Sequence, residues 1–283
     1  MSVLTTTPLT SAPSAGPGLT LPTGGAAWVF GAWVEVLAST AAPIAIAGVQ
    51  VASGGSSLWW ELDLGVGAGG AEVSVGSLRL FFHASGNLST PNGLLLPVPL
   101  GGIGSGVRVA MRMRSSSASG GGVGAVTLLY YESLSSDQQT TTTQQLTSAP
   151  AGSATVPSLT PSATPWANSA WVEVIASAAT DLGLLGLTHA GNADGFSGLE
   201  YDLGVGAASA ETVITTLREG FLQHRFYVSW LPGIYPVAAG TRVAVRMRKA
   251  GTATTAHPVA LLYYTNVSAA VTARVQPIVW LPV

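Results

Sequence analysis

The chain has no cysteine, a single lysine (Lys249) and few charges of either sign. Without cysteine there is no disulfide framework and no thiolate metal site. Its 11 basic and 13 acidic side chains leave a formal charge of −2 over 283 residues. No basic patch exists to neutralise phosphates, so nucleic acid is not an expected partner. The opening stretch, Met1 to Thr23, lacks Lys, Arg and a continuous apolar core, which is unlike a secretory signal peptide. The stretch Val36 to Trp60 is free of charge but is broken by Pro43, glycines and serines. Its counterpart further on carries Asp181 and Asp194, so no membrane insertion is expected. Helical periodicity is also missing, and 35 glycines and 17 prolines work against it. A nearly neutral surface favours association, so the sequence predicts a homo-oligomer or a part of a larger assembly.

The chain does contain itself twice. Ala32-Trp33-Val34-Glu35-Val36 returns as Ala170-Trp171-Val172-Glu173-Val174. Glu61-Leu62-Asp63-Leu64-Gly65-Val66-Gly67-Ala68 returns as Glu200-Tyr201-Asp202-Leu203-Gly204-Val205-Gly206-Ala207. Arg108-Val109-Ala110-Met111-Arg112-Met113-Arg114 returns as Arg242 to Arg248, and Leu128-Leu129-Tyr130-Tyr131 as Leu261 to Tyr264. The lead-in Leu9 to Pro13 returns as Leu146 to Pro150. A period of this length means one domain per copy rather than a solenoid of small units.

Each copy offers seven or eight short alternating segments with turn signals between them. In Val107 to Arg114, Val109, Met111 and Met113 point one way while Arg108, Arg112 and Arg114 point the other. The expected fold is all-β: two tandem antiparallel β-sandwich domains, jelly-roll-like, related by internal duplication and carrying extended arms. An immunoglobulin-like sandwich is the alternative topology. The expected boundaries are an N-terminal arm over 1–24, a first sandwich over 25–134, and a Thr/Gln/Pro-rich linker arm over 135–164. A second sandwich follows over 165–269, then a docking strand or arm over 270–283 with Pro277 and Trp280.

Because charge is so sparse, matched charges are informative. Eight pairs repeat: Glu35/Glu173, Glu61/Glu200, Asp63/Asp202, Glu72/Glu211, Arg79/Arg218, Arg108/Arg242, Arg112/Arg246 and Arg114/Arg248. Glu61 and Asp63 are two apart on one strand face, and the three arginines from 108 to 114 share another. A glycosidase-like carboxylate pair would need one carboxyl with a raised pKa. Abundant arginine nearby is expected to lower such values, so the pattern reads as a structural charge ladder on a sheet face. The segments Gly65-x-Gly67 and Gly204-x-Gly206 lack the Lys and the following helix of a phosphate loop and read as strand ends with turns. His83, His189, His224 and His257 show no ligand spacing and no matched positions. No metal site, cofactor or catalytic residue is expected. The non-repeating aromatics, Trp59 and Trp60 in copy one and Phe221, Trp230 and Tyr235 with His224 in copy two, are candidates for stacking on sugar rings or on a partner protein. For Trp59-Trp60, opposite facing of adjacent residues puts at least one ring towards solvent.

The order Trp33 to Ser39, Glu61 to Glu72, Pro97 to Arg112, repeated as Trp171 to Ser177, Glu200 to Glu211 and Pro236 to Arg246, resembles a recurrent β-sandwich module of tailed-bacteriophage virion proteins. The resemblance covers both copies and omits the arms, linker and tail. It implies a non-enzymatic virion component that is assembled in the host cytoplasm beside other virion proteins, with a trimer suggested by analogy. A tail or fibre part contacting host-surface polysaccharide is the reading favoured by the aromatics. A capsid decoration or cement protein is the alternative, and a free carbohydrate-binding module is a further one.

Overall fold

The computed structural model describes residues 9–14, 18–52, 58–82, 92–117, 125–133, 145–150, 156–190, 198–219 and 228–267. The described residues form strands and turns and contain no helix. Phe221, His224, Pro277 and Trp280 lie outside them, as does the expected docking tail.

The first repeat contributes β1 (Leu9–Ala12), β2 (Leu19–Thr20), β3 (Val34–Leu37), β4 (Ile44–Ala52), β5 (Leu58–Val66), β6 (Val73–Phe82), β7 (Asn92–Ile103), β8 (Val109–Ser115) and β9 (Ala125–Glu132). The second contributes β10 (Leu146–Ala149), β11 (Ser158–Leu159), β12 (Val172–Ile175), β13 (Leu182–His189), β14 (Leu199–Val205), β15 (Thr212–Glu219), β16 (Val228–Val237), β17 (Val243–Lys249) and β18 (His257–Thr265). The two series match strand for strand.

In the first repeat one sheet runs β1-β9-β4-β7 and the other has the order β6-β5-β8-β3. In the second, β10, β18, β13 and β16 lie side by side and the other sheet is β12-β17-β14-β15. The pairing is nested: first strand with last, β3 with β8, β4 with β7, β5 with β6. That is jelly-roll order. An immunoglobulin sandwich distributes its strands differently, so strand order decides between the two topologies that alternation alone leaves open.

Alternation explains why each sheet has an inner face. Along β17 the burial of Val243, Val245 and Met247 is complete, while Arg246 between them is partly exposed. The core of the second repeat draws on both sheets: Leu184 and Leu187 from β13 and Leu261 from β18 meet Tyr201 and Leu203 from β14 and Met247 from β17. Burial of such side chains supplies about 1.5–3 kcal/mol each.

The chain divides into two compact units, Met1–Ser77 with Ala84–Leu146, and Leu78–His83 with Thr147–Val283. Leu9–Ala12, within the segment read as an N-terminal arm, is a strand of the first sheet, in antiparallel register from Leu9↔Tyr131 to Ala12↔Leu128. Leu146–Ala149, within the linker arm, is likewise a strand beside β18. Four residues carry too little alternation to announce a strand. The sheet edge that they complete supplies the hydrogen-bonding partners. Both strands run into a cis peptide, Ala12–Pro13 and Ala149–Pro150.

Candidate functional site

The matched charges converge on the outer face of the β3-β8-β5-β6 sheet and of its counterpart. Register brings them together: Glu61 lies opposite Arg114 and Asp63 opposite Arg112, while Glu200 lies opposite Arg248 and Asp202 opposite Arg246. Directly opposed side chains on one face are close enough to pair.

In the first repeat Arg114 Nη2 donates to both oxygens of Glu61 at 2.8 Å. Arg112 Nε donates to Asp63 Oδ2 at 2.8 Å, and Ser74 Oγ donates to Asp63 Oδ1 at 2.5 Å. Arg108 bridges two carboxylates, Glu35 at 2.8 Å and Glu72 at 2.6 Å. The second repeat reproduces this plan. Arg246 Nε donates to Asp202 at 2.8 Å, Thr216 Oγ1 to the other Asp202 oxygen at 2.6 Å, and Arg242 to Glu173 at 2.7 Å and Glu211 at 2.6 Å. Arg248 pairs with Glu200, whose second oxygen receives Arg218 Nε at 2.8 Å. The carboxylates at the centre, Glu61, Asp63, Glu200 and Asp202, are all buried.

Aromatic rings cover the guanidinium groups. Arg112 Cζ lies 4.2 Å from the Trp33 ring centroid and 4.3 Å from that of Phe30, and Arg114 lies 4.3 Å from Phe30. Arg246 lies 4.5 Å over Trp171. Where Phe30 stands in copy one, copy two has Asn168, whose Oδ1 accepts from Arg248 Nη1 at 3.4 Å. A cation over an indole face is attracted by the ring quadrupole, by about 0.5–1 kcal/mol when exposed and more when desolvated.

The glycine pairs are part of this construction. A Cβ on Gly65 would sit 2.6 Å from Trp33 Cη2, and one on Gly204 would sit 2.6 Å from Trp171 Cη2. Each first glycine is the seat of an indole. Each second glycine, Gly67 and Gly206, has φ +119°, which side chains rarely adopt. The glycines and Trp33/Trp171 are visibly repeated in the sequence, but nothing there says that they touch.

The electrostatics differ from expectation at one position. Asp63 has its pKa raised, because burial outweighs the opposing hydrogen bonds from Ser74 and Arg112. The expectation that nearby arginines would lower it omitted desolvation. The Arg108 hydrogen bond holds Glu72 below the ordinary range. At Glu211 burial pushes upward, but the Arg242 hydrogen bond and backbone donors together bring the value down.

The candidate aromatics separate. Trp59 and Trp60 are both buried, at 6% and 2% exposure, which corrects the expectation that one faces solvent. They sit on β5, a central strand flanked by β6 and β8, where both faces are covered. At the place of Trp59 the second repeat has Gly198, and the Trp166 ring lies 3.5 Å from where its Cβ would be. Trp230 and Tyr235 lie on β16, Trp230 half-buried opposite Gly186 and Tyr235 exposed at 38% opposite Leu184. Among the described residues no group of three His, Cys, Asp or Glu is placed to hold a metal, and no helix is long and apolar enough to cross a membrane. The chain matches no family model, and no curated protein matches it.

Proposed function

We propose that this protein is a non-enzymatic structural component of a bacteriophage virion, built from two jelly-roll sandwiches and placed in the tail or fibre region. The observation that carries the non-enzymatic part is the pairing of the matched carboxylates. Glu61, Asp63, Glu200 and Asp202 are buried, and each bonds an arginine on the neighbouring strand. A glycosidase pair needs two carboxyls flanking a bond with room for substrate. Here indole or phenyl rings cover Arg112, Arg114 and Arg246 instead. Jelly rolls recur in viral shells and in lectins, a fold-level analogy that agrees with the module resemblance in the sequence. Tyr235 and Trp230 remain as the aromatic contact for a host-surface polysaccharide.

The burial of Trp59 and Trp60 favours a second reading, a head decoration protein. It removes the aromatic pair of copy one from any glycan-contacting surface and leaves assembly as that copy's role.

Immunogold labelling of intact particles with antibody to this chain tests both readings. Label at the tail end supports the fibre reading, and label over the head supports decoration. Absence of label from every particle overturns the virion reading.

A further inference from the structure

In copy one, rings and guanidinium groups alternate without a break. The Phe30 ring lies 4.3 Å from Arg112 Cζ and 4.3 Å from Arg114 Cζ. Trp33 follows Arg112 at 4.2 Å, and Trp28 follows Arg114 at 5.9 Å. The order is Trp28, Arg114, Phe30, Arg112, Trp33, and the phenyl ring is its middle rung.

Copy two keeps the backbone that carries these rungs. Trp28 N donates to Ser115 O and Trp166 N to Lys249 O, each at 2.7 Å. Both tryptophans have φ 60°. Gly31 N donates to Met113 O at 2.9 Å and Ser169 N to Met247 O at 2.8 Å. Trp166, Arg248, Arg246 and Trp171 repeat the other rungs, but the middle one is Asn168. Its carboxamide is shorter than a phenyl ring and is exposed. The neighbours change with it. The Arg248 side chain is 28% exposed against 12% for Arg114. Trp166 is 50% exposed, whereas Trp28 is half-buried.

We propose that this interrupted ladder is a saccharide subsite, in which one pyranose ring takes the place that Phe30 fills in copy one. A pyranose is close to a phenyl ring in size. Its C–H face packs on an electron-rich indole face, here that of Trp166. Its hydroxyls reach the planar groups beside it. A carboxamide offers two donors and an acceptor, and a guanidinium offers five donors. Asn168 Oδ1 takes one long bond of 3.4 Å from Arg248 Nη1, and Arg248 Nε is held by Glu200. These bonds orient the two groups before a ligand arrives. The same groups decide against an aromatic side chain of a partner. A phenyl ring would cover the carboxamide and the Arg248 guanidinium without bonding them, and buried polar groups left unbonded are costly. The subsite rests on the glycan part of the proposed function, to which it adds a contact apart from Tyr235 and Trp230. A monosaccharide of about a dozen heavy atoms is expected to bind with a Kd of roughly 1 mM.

The test uses the full-length chain with methyl glucoside, galactoside, mannoside and N-acetylglucosaminide, read by saturation-transfer NMR. At least one pyranoside is expected to show transfer, strongest at the C–H groups of one ring face. Asn168→Phe restores the rung of copy one. It should raise the Kd at least tenfold without lowering the melting temperature. Trp166→Ala should raise the Kd by as much. Absence of transfer from all four pyranosides overturns the proposal, as does binding that Asn168→Phe leaves unchanged. Benzyl alcohol is the competing probe: binding tighter than every pyranoside and lost in Asn168→Phe would replace the sugar with an aromatic side chain. Failure here is separable from failure of the fibre reading. Polysaccharide adsorption that needs Tyr235 but tolerates Asn168→Phe removes the subsite and leaves that reading standing. Pyranoside binding lost in Asn168→Phe, with immunogold label over the head, keeps the subsite and removes the tail placement.

Discussion

Arg112 lies between two unlike partners: its Nε donates to Asp63 at 2.8 Å while Trp33 lies 4.2 Å from its Cζ. Arg246 repeats the arrangement between Asp202 and Trp171. A planar guanidinium can do both at once, bonding in its plane and stacking on its face, and a lysine ammonium cannot. Arg112→Lys and Arg246→Lys are therefore expected to lose about 1–2 kcal/mol each, read as a lower urea midpoint with an unchanged m-value.

The indole seats give a sharper test of the same geometry. Gly65→Ala and Gly204→Ala add one methyl where a ring already lies. Overpacking of this kind costs about 1–3 kcal/mol. Thermal unfolding of each variant should show it, with Gly25→Ala, where nothing lies within 4 Å but φ is +71°, as a control for backbone strain without a clash.

Much of this architecture was legible in the sequence, and the reasons are specific. The all-β class followed from alternation such as Val109 to Arg114 and from the scatter of glycine and proline. The cross-strand partners were suggested by repetition, since eight charge pairs survive in both copies. The β1 and β10 strands were not legible, because four residues carry no period and their pairing is non-local. The burial of Trp59 was equally hidden. Strand alternation puts adjacent rings on opposite faces, but only the fold reveals that both faces of β5 are covered.

The aromatics now predict opposite behaviour. Trp60 is fully buried, so Trp60→Ala should cost about 3–5 kcal/mol. Tyr235 is exposed, so Tyr235→Ala should leave stability within about 0.5 kcal/mol. Under the fibre reading that same variant reduces adsorption to host-surface polysaccharide, measured by pull-down with purified glycan. Equal loss of stability in both variants would show that Tyr235 is a packing residue.

The acid limb of stability should belong to Glu72 and Glu211. Both have folded-state pKa values below the ordinary 4.5. Their contribution is present above that value and is lost as pH falls through the depressed ones. Asp63 acts with the opposite sign: its raised pKa means that ionisation in the folded state is disfavoured, so its contribution diminishes as pH rises. A Glu72→Gln, Glu211→Gln variant should be less stable than wild type at neutral pH and nearly equal to it in strong acid. Parallel curves across the whole range would remove these two ion pairs from the acid response.

The central claim of the proposed function is that the buried carboxylates tie neighbouring strands within one sheet of each sandwich and perform no chemistry. It is tested most directly by the Asp63→Asn, Asp202→Asn double variant, with thermal unfolding and hydrolysis of a glycan panel measured on the same preparations. Each substitution leaves a partly exposed arginine without its carboxylate, at a cost of about 1–3 kcal/mol. The account predicts a lower melting temperature and no turnover by either protein. An unchanged melting temperature together with a hydrolytic activity present in wild type and absent from the variant would contradict it.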